Sequence, residues 1–169
     1  MDPVDELIGT WRLELPSVLG PESELIKRVL LLAQAFGDAA AAELPELGLT
    51  SAEYDVLAAL RRAGTPYARR PNELTKALML SSGGISNVIN RLEARGLVER
   101  QADPADGRGS RVLLTPVGVE LAERALKVNT AAHATVVADV PQETLTAAAD
   151  ALRAVFATAK GLRRPGRRP

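Results

Sequence analysis

At 169 residues, with 46% hydrophobic and 25% charged side chains, the chain has the composition of one globular domain with an adequate core, which excludes fibrous and largely disordered classes. It contains no cysteine and a single histidine, His133. That removes disulfides, thiolate metal sites and the Ser-His and Cys-His nucleophile pairs, so no catalytic residue, no metal ligand set and no cofactor is expected. The net charge of zero hides an uneven distribution: residues 1–60 hold 3 Lys/Arg against 11 Asp/Glu, residues 61–111 hold 10 against 5, and residues 161–169 add 4 arginines. A basic segment in an otherwise acidic chain fits a localised phosphate-binding face, and a merely solvated basic face is the alternative at this point.

The N-terminus is acidic and lacks a signal-peptide core, and no run approaches the ~18 apolar residues of a membrane helix. A cytoplasmic, nucleoid-associated location without membrane contact is the expectation. Five aromatics (Trp11, Phe36, Tyr54, Tyr67 and Phe156) are too scattered for a base-stacking platform.

Asp2-Pro3 opens a short amphipathic helix over residues 3–14, with Val4, Leu7, Ile8, Trp11 and Leu15 at helical spacing. It is too short to persist alone and must dock. Pro21 opens a longer, alanine-rich helix to about Leu44, broken by Pro45 and Gly48. Thr50-Ser51-Ala52-Glu53 is a capping box that starts a helix to about Arg62. Gly64, Pro66 and Pro71 frame a loop holding Arg69 and Arg70.

Residues 69–115 are the stretch around which the chain is organised. A helix from Pro71 to about Leu78 and a second one, capped by Ser81 or Ser82 and running to about Arg95, form a helix-turn-helix. The second keeps Ile85, Val88, Ile89 and Leu92 inward and turns Ser82, Gly83, Ser86, Asn87, Asn90 and Arg91 outward, with Gly96 as its C-cap. Two strands follow, from Leu97 and through Arg111-Val112-Leu113-Leu114, joined by turn-forming residues 103–109. The hairpin tip carries Arg108 and Arg111 on a narrow projection that suits a minor groove. Asp106 is close enough to orient Arg108 by a local salt bridge. Thr115-Pro116 starts a helix to about Ala138, Pro141 the last one, and residues 161–169 read as a disordered basic tail.

These observations predict a mainly α fold with a small β-hairpin: a winged helix-turn-helix lobe at 49–115 and a helical dimerisation region at 1–45 and 116–160. Ser81, Ser82, Gly83, Ser86, Asn87, Asn90 and Arg91 would face double-stranded DNA, with Arg108 and Arg111 on the wing. A winged-helix protein-interaction module without specific DNA binding is the competing function; an enzyme is not supported.

The chain resembles the MarR family of winged helix-turn-helix transcriptional regulators, through LTSAEYDVLAAL (49–60), ELTKALMLSSGGISNVINRLEARGLVER (73–100), Asp106-Gly107-Arg108 and LLTPVG (113–118). The resemblance implies a homodimer with interlocking terminal helices, recognition helices in successive major grooves of a pseudo-palindrome, and repression relieved by a small molecule. The family's wing arginine falls on Arg108. The extra N-terminal helix is similar to that of the urate-responsive subgroup, whose pocket residues fall on Trp11, Asp55, Val88 and Arg100. Val88 stands where that subgroup carries an arginine, which removes a cation that would hold an anionic ligand. The implied partner is a small aromatic or anionic effector, acting by competing for a pairing of Asp55 with Arg100.

Overall fold

In a computed structural model, residues 2–78, 82–103 and 106–159 are described, with the side chains of Ser82 and residues 106–108 outside the description. The elements are α1 (Pro3–Glu14), α2 (Pro21–Glu43), a 3-10 turn (Leu44–Leu47), α3 (Ser51–Arg61), β1 (Ala68–Arg69), α4 (Pro71–Leu78), α5 (Ser82–Ala94), β2 (Val98–Asp103), β3 (Asp106–Leu114), α6 (Pro116–Val136) and α7 (Gln142–Thr158). The predicted tail, 161–169, lies outside the described residues.

Helix starts follow the local chemistry. Asp2 accepts from the backbone N–H of Val4 and Asp5, and Asp5 accepts from that of Asp2 in return, a reciprocal cap. Thr50 and Glu53 do the same for α3. Thr115 caps α6 by accepting from the Gly118 N–H at 3.0 Å. At the far end of α5, Gly96 takes φ +67. Its N–H donates to the Glu93 carbonyl and that of Leu97 to the Leu92 carbonyl, the paired bonds of a Schellman turn, which needs the left-handed backbone that glycine adopts freely.

The core lies within the central lobe. Val56, Leu57 and Leu60 of α3, Leu74 of α4, Ile85, Ile89 and Leu92 of α5, and Val98 and Val112 of the sheet are sealed from solvent, with Ala122 and Ala125 of α6 closing one side. Each such valine, leucine or isoleucine contributes about 1.5–3 kcal/mol. Strand order is β1-β3-β2, all antiparallel. The expected two-stranded hairpin is therefore a three-stranded sheet: Arg69, expected in a loop, pairs with Val112 in β1. Two residues are too few to carry any period, so only the pairing with β3 defines this strand.

Outside the lobe the helices are thinly covered. Val4 and Ile8 of α1 are buried against α2, and Arg28 of α2 reaches Asp2 (2.9 Å) and Asp5 (2.5 Å) at the start of α1. Leu7 and Trp11, predicted on the same stripe, stay about half exposed. Neither α2 nor α7 has a buried residue. Leu25, Ile26, Val29, Leu30, Leu31 and Leu32 of α2 and Val155 and Phe156 of α7 all face solvent in the single chain, an apolar area of the kind that marks an interaction surface.

Candidate nucleic-acid interface and effector pocket

On α5 the two faces separate as the 3.6-residue period requires. Ile85, Val88, Ile89 and Leu92 are buried, whereas Gly83, Ser86, Asn87, Asn90 and Arg91 are exposed. Ser81 lies outside the described residues, as does the side chain of Ser82. The exposed face is short-chained and polar over its first two turns, so a base edge can approach it closely.

A carboxylate that the sequence offers only as a helix cap fixes this helix from below. Glu53 is 4% exposed. It accepts from the Thr50 backbone N–H (2.9 Å) and hydroxyl (3.0 Å), and from Arg91 Nε (3.2 Å); Arg95 Nη1 lies 3.7 Å away. Burial pushes its pKa up, but the Thr50 and Arg91 hydrogen bonds and the Arg91 charge outweigh this and hold it below the ordinary glutamate value. Glu53 thus ties the start of α3 to the last turns of α5. Arg91 keeps much of its side chain in solvent, so it serves this anchor while remaining open outward.

The outer end of α5 is tied to β2. Arg100 donates to Asn90 Oδ1 at 2.7 Å and pairs with Glu93. Arg111, in register with Gln101, is partly buried, and its Nε is sealed from solvent without a hydrogen-bond acceptor. Arg108 belongs to β3 by its backbone, while its side chain, and with it the expected pairing with Asp106, lies outside the described residues.

A cavity of about 670 Å³ opens between α3, α4 and α6, lined by Tyr54, Asp55, Ala58, Arg61, Arg62, Leu78, Glu123, Leu126 and Lys127 among others. Asp55 reaches solvent at its edge, yet the protein around it pushes its carboxyl pKa up. Burial also raises the Tyr54 hydroxyl, with the neighbouring Asp55 charge adding to the effect. One wall is braced by Arg61, which donates twice to Glu123 Oε1 (2.9 and 2.7 Å) and stacks 4.7 Å over the Tyr67 ring.

The four residues expected around an effector occupy separate surroundings in the single chain. Asp55 lines the cavity just described. Trp11 lines a groove of about 450 Å³ between α1 and α2, with Leu7, Leu15, Val18 and Ile26. Val88 is packed in the core. The expected pairing of Asp55 with Arg100 is replaced: Arg100 is held by Glu93 and Asn90, acceptors that α5 presents to β2 directly. Among the described residues the cavity's cations are instead Arg61, Arg62 and Lys127. Only α3's position against α6, a long-range feature, could reveal them.

Comparison with known proteins places this architecture. The family model described as MarR family matches residues 47–109. The transcriptional regulator PecS of Dickeya dadantii (strain 3937) is 31% identical over 125 residues, covering 73% of this chain and 75% of that protein. Among solved structures, a MarR variant from E. coli complexed with operator DNA superposes with a TM-score of 0.66 at 25% identity, over 86% of this chain and 96% of that one. Sco3205, a MarR family regulator from Streptomyces coelicolor in complex with DNA, gives 0.68 at 25%, over 85% and 91%. The chain belongs to the MarR family of winged helix-turn-helix transcriptional regulators.

Proposed function

We propose that this DNA-binding transcriptional regulator is a repressor that pairs with a second copy of itself through residues 1–45 and 116–160 and grips a pseudo-palindromic operator with its lobe at 49–115. The observation that carries the reading is the division of α5 into a buried apolar face and an exposed face of Gly83, Ser86, Asn87, Asn90 and Arg91. In this reading those residues, with Ser81 and Ser82, enter the major groove, and Arg108 and Arg111 reach the backbone and minor groove from the wing. The uncovered apolar faces of α1, α2 and α7 support pairing, because a monomer would leave them in water. Half-sites on one face of B-DNA lie about 34–36 Å apart, and the paired helices would set that distance. Nucleoid association follows from the same DNA binding. We assign no catalytic role to a chain whose relatives are transcriptional regulators.

The effector, in this reading, is a small aromatic or anionic molecule in the cavity beside Asp55, where Arg62 and Lys127 supply positive charge. One helix carries both ends of the signal: α3 presents Asp55 to the cavity and Glu53 to Arg91 of α5 and to Arg95 just beyond its end. A ligand that binds better when α3 is displaced weakens DNA binding by that difference in affinity and no more.

Fluorescence anisotropy of labelled DNA from the region upstream of the gene tests the first claim. Specific binding should weaken steeply with salt, about 0.9 in log-log slope per phosphate contacted. Equal affinity for unrelated DNA would leave a protein-interaction module as the function. Titrating salicylate, urate and related aromatic acids into the complex tests the second: if none releases the DNA, the effector reading fails.

A further inference from the structure

The wing is joined to the lobe at two levels. Near the core, Ala68 and Arg69 of β1 pair with Leu113 and Val112 of β3. Farther out, from Arg111 opposite Gln101 to Asp106 opposite Asp103, β2 and β3 have only each other in the sheet among the described residues. A two-stranded ribbon is marginal by itself. At the outer end of β2 sits Asp103, whose side chain is only 4% exposed. Strand alternation would put it on the face of Glu99 and Gln101, both exposed. The register shifts between Ala102 and Asp103, and a bulge of this kind re-aims a side chain.

Asp103 is aimed at Arg70, whose Nε donates to its Oδ2. Arg70 immediately precedes α4, and its backbone N–H donates to Glu73 Oε2 at 2.9 Å, so it is fixed to the first turn of the helix-turn-helix. A carboxylate this buried persists when a charge compensates it. The pair therefore joins the outer wing to the first helix of the motif, across 33 positions of sequence.

We infer that Asp103 and Arg70 are a positioning pair for DNA binding, which holds the outer wing against the start of α4 so that wing and recognition helix meet the duplex as one surface. The pair acts through the wing and not on a base. A wing left loose has to be ordered when DNA binds, and that ordering subtracts from affinity. The inference rests on the reading that Arg108 contacts DNA.

The test is a double-mutant cycle on the full-length protein, read by anisotropy with upstream DNA and checked by thermal melting. Asp103→Asn and Arg108→Ala should each weaken binding about tenfold and lower the salt slope by about 0.9, the loss of one phosphate contact. The double variant should bind within about twofold of Arg108→Ala alone, because an absent arginine cannot be misplaced. If Asp103→Asn folds poorly, Arg70→Gln acts from the more exposed end, and Arg70→Lys should recover most of the affinity that Arg70→Gln loses. Wild-type affinity in both Asp103→Asn and Arg70→Gln would overturn the inference. So would losses that multiply with that of Arg108→Ala, which would make Arg70 an independent phosphate contact. If Arg108→Ala alone changes nothing, the wing reading beneath the inference is what fails.

Discussion

Gly118→Ala probes how α6 is seated on the recognition helix. A Cβ at Gly118 would lie 1.9 Å from the Leu97 carbonyl oxygen and 2.9 Å from its carbon, where real Cβ contacts essentially never fall below 3.0 Å. The obstacle is backbone, so no rotamer relieves it. The same junction holds the Thr115 hydroxyl donating to the Gly96 carbonyl (2.7 Å), the Thr115 N–H donating to the Leu97 carbonyl (3.1 Å) and the Gly118 N–H donating to Thr115 Oγ1 (3.0 Å). Separating the two segments far enough breaks this set. Overpacking costs about 1–3 kcal/mol and a lost cap about 0.5–2, while alanine returns about 1 as the better helix former. The balance is a loss centred near about 2 kcal/mol, or about 4–8 °C in Tm for a chain of this size. Thermal unfolding must be followed at fixed protomer concentration, since pairing makes Tm depend on it. A variant that melts at or above the wild-type temperature would refute the reasoning, for that is the outcome helix propensity alone would give.

Glu53→Gln should destabilise by about 1–3 kcal/mol at neutral pH, because Arg91 and Arg95 lose their buried counter-charge. The Glu53 carboxyl is lowered in the folded chain; its contribution is present above the ordinary glutamate value and lost as pH falls through the folded one, so urea titrations of the two proteins should converge in acid. Asp55→Asn should act with the opposite sign, since that carboxyl is raised: at neutral pH the variant is more stable by less than about 1 kcal/mol, solvent screening keeping the effect small, and the gap closes as pH falls below the raised value. An unchanged gap across that range would show that burial of the charge is not its cause. Substitutions at Ser86 or Asn87 should alter which operator bases are preferred while leaving the salt slope intact, whereas Arg108→Ala should reduce affinity for all sequences together; selection from a randomised operator library separates the two.

What the sequence discloses about this molecule is what its local chemistry controls. The start of α1 at Pro3, of α3 at Ser51 and of α6 at Pro116 follow from caps within three residues of themselves, and the buried face of α5 follows from spacing along one helix. β1 is invisible because Ala68 and Arg69 become a strand only when Val112 and Leu113 arrive beside them. Glu53 shows the same limit from the other side. Its role as a cap is legible three residues from Thr50, but its grip on Arg91 spans 38 positions and has no signature short of the fold. The effector residues mark the limit most clearly. Resemblance selects Trp11, Asp55 and Arg100 by type and Val88 by position alone, whereas proximity in this chain surrounds Asp55 with Arg61, Arg62 and Lys127 and turns Arg100 toward α5. Arg100 therefore has two acceptors on the recognition helix, Asn90 and Glu93, and any anion that captured it would act on that helix directly. A ligand at Asp55 would instead act through α3 and Glu53. The two routes differ in one measurable respect: Glu53→Gln should blunt the release of DNA by a cavity ligand, and should leave release through Arg100 intact.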